Sequence, residues 1–312
     1  MNDPLRDIAL FPTEPGRELA LHAGRTTLAR AINGKGELLL LLVDATIAPA
    51  LFAGSPSVGE YSAVLEISNS HGSQELQLTA LNAKFPQVQV FPDGDILIVA
   101  SRCQRFQDGS HEFNARVYDT AGKLQHEFLL GDGIEHVQID RHGNIWVGYF
   151  DEGIFGNYGW GHGNDRYGVA GLSCFDKQGR KLWDYQPPSG TDFISDCYAL
   201  NVSKEGVWAY YYTDFPFVRV DNDWNVKAWN SETSGAREFA VHGNHILLYG
   251  GYGQEKTNCK LLRLEDGTAK LVGRVHMNLP DGQDLSMATV IGRDNVLHVV
   301  VDDNWFLFRP DV

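Results

Sequence analysis

The sequence predicts an all-β chain: a six-bladed β-propeller with four-stranded antiparallel blades, its ring closed by an N-terminal strand. Three observations carry this expectation. A strand–turn–strand pattern with period-2 apolar residues recurs six times, at a mean interval of about fifty residues, the length of one four-stranded blade. Gly is abundant at 33 residues and aromatics make up 11%, which suits tight turns and flat side chains packed on sheets. No stretch sustains the 3.6-residue periodicity of a long helix.

In chain order, the first hairpin runs from Ala31 to Leu41 around Gly36. The two clearest copies follow, Val88-Gln89-Val90-Phe91-Pro92-Asp93-Gly94-Asp95-Ile96-Leu97-Ile98 and Val137–Val147 around Gly143. Three fainter ones span Leu200–Tyr210 around Gly206, Phe239–Tyr249 around Asn244, and Thr289–Val299 around Asn295. In each, alternate apolar residues face one side, and Gly or Asn supplies the positive φ of the tight turn. Second hairpins are read at Arg116–Leu124, Leu172–Trp183 and Phe217–Trp229. The sixth unit holds only three strands before Val312. Its missing strand is expected from the N-terminal segment 1–24, either Glu18–Ala23 or Ile8–Phe11, and residues 1–312 are expected to form a single domain.

At 312 residues, with 43% hydrophobic and 21% charged residues, the chain can bury a large core without disulfides or a metal. Against 40 acidic residues stand 26 basic ones, a net charge of −14. That balance disfavours nucleic acid and anionic membrane as partners. The start, Met1-Asn2-Asp3-Pro4-Leu5-Arg6-Asp7, lacks a basic segment followed by an apolar one. The longest apolar run, Leu38–Val43, cannot span a bilayer. Cys103, Cys174, Cys197 and Cys259 form no Cys-x-x-Cys pair and are expected as free thiols of a cytoplasmic monomer.

The segment Asp140-Arg141-His142-Gly143-Asn144-Ile145-Trp146 resembles the strand–turn–strand signature of NHL-type and SMP-30/gluconolactonase-like propellers. Phe175–Trp183 is similar to the outer hairpin of quinoprotein-like repeats, and Leu248-Tyr249-Gly250-Gly251-Tyr252 resembles a single kelch Gly-Gly doublet. The resemblance spans roughly residues 25–309 and implies the six-bladed fold. Propellers host lactonases, lyases, lectins and scaffolds, so function has to come from the site.

Propeller ligands usually meet the face where innermost strands begin and second strands end. Inner-strand starts place Glu135, His136, Asp196, Tyr198, Glu238 and Asp284 there; ends of second strands add Arg102, Glu152, Tyr212 and Asp214. Carboxylates dominate, and two of them about 6 Å apart repel by roughly 3 kcal/mol at an effective dielectric of ~20. Such a cluster holds a cation, shares protons, or is a solvated rim. The metal reading takes Glu135, Asp196 and Glu238 as ligands for a hard cation, Ca²⁺ or Mg²⁺; SMP-30-like enzymes hold such a metal. His136 beside Glu135 suits proton transfer or a structural imidazole, and Cys197 is a nucleophile beside His136 or a small core residue.

The segment Asp151–Gly168 contains six glycines and four aromatics, too patterned for a simple turn. Tyr158 and Trp160 would stack a sugar ring or peptide, or the loop would plug its own channel with them; His162 reads as a loop hydrogen-bonder. The expected ligand-binding set is therefore Glu135, His136, Tyr158, Trp160, Tyr198 and Tyr212. The favoured function is non-enzymatic recognition of a neutral saccharide or a basic protein surface on an acidic, aromatic-rimmed face. The alternative is a metal-dependent hydrolase or lyase of the SMP-30 kind acting on a lactone or sugar.

Overall fold

The computed structural model describes residues 5–20, 22–54, 59–161, 167–283 and 285–310. The chain divides into two compact units, one built from residues 22–186 and 195–197, the other from 1–21, 187–194 and 198–312. Two short strands come first, β1 (Arg6–Leu10) and β2 (Arg17–Glu18).

Three four-stranded antiparallel sheets follow. The first comprises β3 (Arg25–Ile32), β4 (Leu38–Asp44), β5 (Tyr61–Asn69) and β6 (Gly72–Leu81), with helix α1 (Ala48–Phe52) between β4 and β5. The second comprises β7 (Pro86–Val90), β8 (Ile96–Ala100), β9 (Ala115–Tyr118) and β10 (Leu124–Phe128). The third comprises β11 (Ile134–Ile139), β12 (Ile145–Tyr149), β13 (Leu172–Phe175) and β14 (Lys181–Asp184), with helix α2 (Asp151–Phe155) after β12. Strand β4 is apolar from Leu38 to Val43 because both its faces are buried. Leu39, Leu41 and Val43 pack in one cluster with Leu65 of β5, Val88 of β7 and Ile98 of β8.

The remaining strands are β15 (Asp196–Ser203), β16 (Gly206–Tyr212), β17 (Phe217–Val220), β18 (Val226–Ser231), β19 (Ala236–His242), β20 (His245–Gly250), β21 (Cys259–Glu265), β22 (Thr268–Met277), β23 (Thr289–Arg293), β24 (Val296–Val301) and β25 (Asn304–Phe308). Here the pairing departs from six separate four-stranded sheets: β15 to β22 and β1 form one nine-stranded sheet. The two consecutive runs β15–β18 and β19–β22 pair with each other where β18 meets β22 in parallel, at Asn230–Thr268 and Ser231–Ala269. Strands β23–β25 are completed to four by β2, with Arg17 opposite Trp305 and Glu18 opposite Asn304. Of the two N-terminal stretches expected to fill that place, Glu18–Ala23 reaches β25 at its start: Glu18 pairs as the last residue of β2, and the Leu19 N–H donates to the Asp303 carbonyl. The stretch around Ile8 instead pairs parallel to β22.

One turn chemistry recurs in both units. The side-chain oxygen of Asn33, Asp119, Asp140, Asp176 or Asp221 accepts the backbone N–H two and four residues on, at 2.8 to 3.0 Å. The residue three positions on takes positive φ: Gly36, Gly122, Gly143, Gly179 and, without a glycine, Trp224 at 66°. Asx side chains stabilise this fold-back by imitating a backbone acceptor. Two other turns differ from expectation. Positive φ falls on Gly243 and Asp294, not on Asn244 and Asn295. The pairings His242–His245 and Arg293–Val296 leave two-residue loops, whose first central residue takes the left-handed conformation. No helix among the described residues is long and apolar enough to cross a membrane.

Candidate functional site

A cluster of five aromatics, some buried and some exposed, lies where β15 and β16 meet the loops after β16 and β20. Tyr198 comes from β15, Tyr210 and Tyr212 from β16, Phe215 from the following turn, and Tyr252 from the loop after β20. Positive φ at Asp214 (64°) and Phe215 (53°) turns the chain back so that the Phe215 ring enters the group. Phe215 is buried and central. Its centroid lies 5.0 Å from Tyr198, 5.3 Å from Tyr210, 5.6 Å from Tyr212 and 6.1 Å from Tyr252. Tyr198 and Phe215 are edge-to-face at 86°, a favoured arrangement of aromatic quadrupoles.

The polar ends of this cluster are also ordered. The Tyr198 and Tyr252 hydroxyls share a hydrogen bond of 2.7 Å, and the Tyr210 hydroxyl donates to the Thr233 carbonyl at 2.9 Å. Burial pushes the Tyr210 phenol well above its ordinary pKa, so it stays a neutral donor. The Arg237 guanidinium carbon lies 5.8 Å from the Tyr198 centroid. A Cβ at Gly235 would meet the Tyr252 ring at 2.6 Å, so the missing side chain is what lets that ring lie down. Tyr212 and Tyr252 remain 48% and 52% exposed. They present flat faces backed by a packed aromatic floor.

A second arrangement surrounds Arg102 in the other unit. Its Nε and Nη2 donate to the two oxygens of buried Asp132 at 3.0 and 2.9 Å, and its Nη1 donates to Glu152 at 2.5 Å. The guanidinium lies 4.2 Å from the Tyr158 centroid and 5.3 Å from that of Phe150. Burial raises the Asp132 pKa despite this partner and the Cys103 N–H at 2.7 Å. Glu152 is held low by hydrogen bonds from Asn157 and Arg102. Gly133 and Gly153 approach so closely that a Cβ on Gly133 would sit 2.3 Å from the Gly153 nitrogen. With all three guanidinium nitrogens hydrogen-bonded, Arg102 pins the 151–161 segment to the sheet.

The expected site residues fall at different places. Tyr198 and Tyr212 lie in the aromatic cluster. Tyr158 is exposed, with Arg102 over its ring. Trp160 is buried, donates its indole N–H to the Cys103 carbonyl at 2.7 Å, and packs with Leu129 and Tyr167. The glycines around it fold the loop back on itself, so its faces are covered by the protein. Glu135 is exposed at an irregularity of β11, where the register shifts between Ile134 and His136. His136 is half-buried near Gly148, where a Cβ would lie 2.6 Å from the Cys197 Sγ and 3.5 Å from the His136 ring. Burial, with the charges of Asp196 and Glu135, pushes the Cys197 thiol far up, which removes the thiolate a nucleophile requires. Within this unit, among the described residues, Glu135 and Asp196 gain no third ligand at metal spacing. Glu238, in the other unit, accepts the Gly292 N–H at 2.8 Å and so ties β19 to β23. His162 and Asp284 lie outside the described residues.

Sequence reasoning missed Phe215, Arg237 and Asp132. Tyr252 stood within the Gly-Gly-Tyr segment already singled out, and Gly131 and Gly133 flanking Asp132 were an unused signal.

Fold and site together define an all-β propeller with an aromatic platform on one unit. The YxzG family matches over residues 166–307, which include that platform. No curated protein matches the chain. Among solved structures, Kluyveromyces lactis Hsv2 is similar with a TM-score of 0.50, at 12% identity over 91% of this chain and 74% of that one. A catalytically inactive virginiamycin B lyase from Staphylococcus aureus with quinupristin gives 0.49, at 12% identity over 94% and 98%. A gluconolactonase from Xanthomonas campestris gives 0.46, at 12% identity over 96% and 98%. Likenesses at this identity speak to the fold alone.

Proposed function

We propose that the protein is a non-enzymatic, cytoplasmic, monomeric binding propeller that recognises a neutral saccharide on the platform of Tyr198, Tyr212, Phe215 and Tyr252. The carrying observation is the pair of half-exposed rings, Tyr212 and Tyr252, set around a buried Phe215. Flat rings match the apolar face of a pyranose, and the paired hydroxyls of Tyr198 and Tyr252 offer donors and acceptors to its hydroxyls. Arg237 favours one of the two ligand classes. Its guanidinium lies at the Tyr198 ring, where a cationic partner would place its own charge, so a neutral ligand is favoured over a basic protein surface. Four buried free cysteines support a reducing compartment.

We further propose that the chain forms six blades in one domain. We count β15–β18 and β19–β22 as separate blades, because among the described residues the strand pairing between them is limited to two parallel residue pairs. The β2–β25 pairing supports closure by the N-terminal strand.

A glycan array, followed by calorimetry on the best binder, tests the function. Tyr212→Ala and Tyr252→Ala should each weaken binding about tenfold, the equivalent of about 1.4 kcal/mol, and high salt should leave it unchanged. Capture of basic proteins that is abolished by salt and indifferent to both substitutions would refute the reading.

A further inference from the structure

A separate group of side chains on the β3–β6 sheet has the composition and spacing of a metal site. Glu66 on β5 and Glu75 on β6 are directly opposed, so their side chains share one face, where like charges destabilise a sheet. Glu66 is the buried member, its side chain only 2% exposed, and a buried carboxylate needs a compensating charge. Arg25 reaches only the outer carboxylate, its Nη1 donating to Glu75 Oε1 at 2.8 Å. Ser68 Oγ donates to Glu66 Oε1 at 2.7 Å. Glu66 Oε2 then faces His22 Nε2 at 3.3 Å. That nitrogen is buried and makes no hydrogen bond. Two carboxylates and an orphaned imidazole nitrogen thus converge, with all three ligand atoms within 4.8 Å of one another.

We propose that His22, Glu66 and Glu75 bind a divalent transition metal of the zinc class. One nitrogen and two oxygens suit Zn²⁺, whereas Ca²⁺ and Mg²⁺ prefer all-oxygen shells. Ligands at about 2.0–2.2 Å from a tetrahedral Zn²⁺ stand roughly 3.3 Å apart, so a small closure of the observed group suffices. A bound ion would satisfy the orphaned Nε2 and relieve the Glu66–Glu75 repulsion together. Glu75 is 47% exposed at its side chain, which gives the ion access and leaves a fourth position to water. The competing arrangement is a direct His22–Glu66 contact with no metal. Arg25 separates the two, because its positive charge on Glu75 opposes an incoming cation.

The test is calorimetric titration of the chelator-treated full-length protein with Zn²⁺, together with melting curves. One ion per chain should bind and raise the melting temperature. His22→Gln should weaken binding more than tenfold, and Arg25→Met should tighten it several-fold. Because Glu66 is buried, the exposed ligand variant Glu75→Gln supplies the second loss-of-binding measurement. An excess of Mg²⁺ should not compete. Absence of Zn²⁺ binding, or binding unchanged in both His22→Gln and Glu75→Gln, overturns the proposal.

Discussion

The buried imidazole of His298 gives the protein a specific acid sensitivity. His298 on β24 stacks against Trp305 with centroids 5.7 Å apart, and its Nδ1 accepts the Trp305 indole N–H at 3.2 Å. Burial, and the charges of Arg309, Arg17 and Arg293, lower its pKa to about 3 from an ordinary 6.5. Above pH 6.5 neither the folded nor the unfolded chain is protonated there, and the full stability is present. As pH falls below 6.5 the unfolded chain takes up a proton that the native state refuses. Stability then drops until about pH 3, where the native imidazole protonates too. At pH 4.5 the loss from this residue amounts to about 3 kcal/mol. Urea denaturation at pH 7.5, 5.5 and 4.5 measures it, with His298→Gln as the comparison. The variant should be the less stable protein at pH 7.5, and the gap should shrink by about 3 kcal/mol by pH 4.5. Parallel pH profiles for the two proteins would refute this account of His298.

Arg102→Met should destabilise by about 3–5 kcal/mol, because it strands the buried Asp132 carboxylate. Adding Asp132→Asn should recover part of that loss, which a double-mutant cycle in urea reads directly. Asp140→Ala removes the acceptor for the His142 and Asn144 N–H groups and for the Trp146 indole; denaturation should show a cost of about 1–3 kcal/mol. All four cysteines are buried, and burial holds their thiols above the ordinary range. A thiol reagent at pH 8 should therefore label them only after denaturation, and rapid labelling of Cys197 in the native protein would revive its candidacy as a nucleophile.

The hairpins were legible because each carries its own instructions. Around Gly143, for example, alternating apolar residues flank an Asp and a Gly, and those few residues suffice to build strand, Asx turn and strand. The edge contact between β18 and β22 was not legible, since two outer strands meeting over two residues leave no local pattern. At the platform, Tyr198 and Tyr212 followed from their positions at strand ends. Phe215 did not, because its inward turn depends on left-handed backbone at Asp214 and Phe215, which the residue types do not announce. Trp160 shows the reverse limit: a Gly-rich aromatic loop reads equally well as a binding surface or a self-packed plug, and only the Cys103 carbonyl and the Tyr167 ring decide. His22, Glu66 and Glu75 come from three separate segments: strand register opposes the two glutamates, and the turn before β3 brings His22 to them.

The claim that the rings around Phe215 form the ligand face is tested most directly by NMR chemical-shift mapping of the full-length protein with its best array saccharide. The account predicts perturbations confined to Tyr198, Tyr212, Phe215, Arg237 and Tyr252, with saturation transfer from the tyrosine rings to the sugar. Perturbations centred on Glu135, His136 and Asp196 with the platform silent would contradict it.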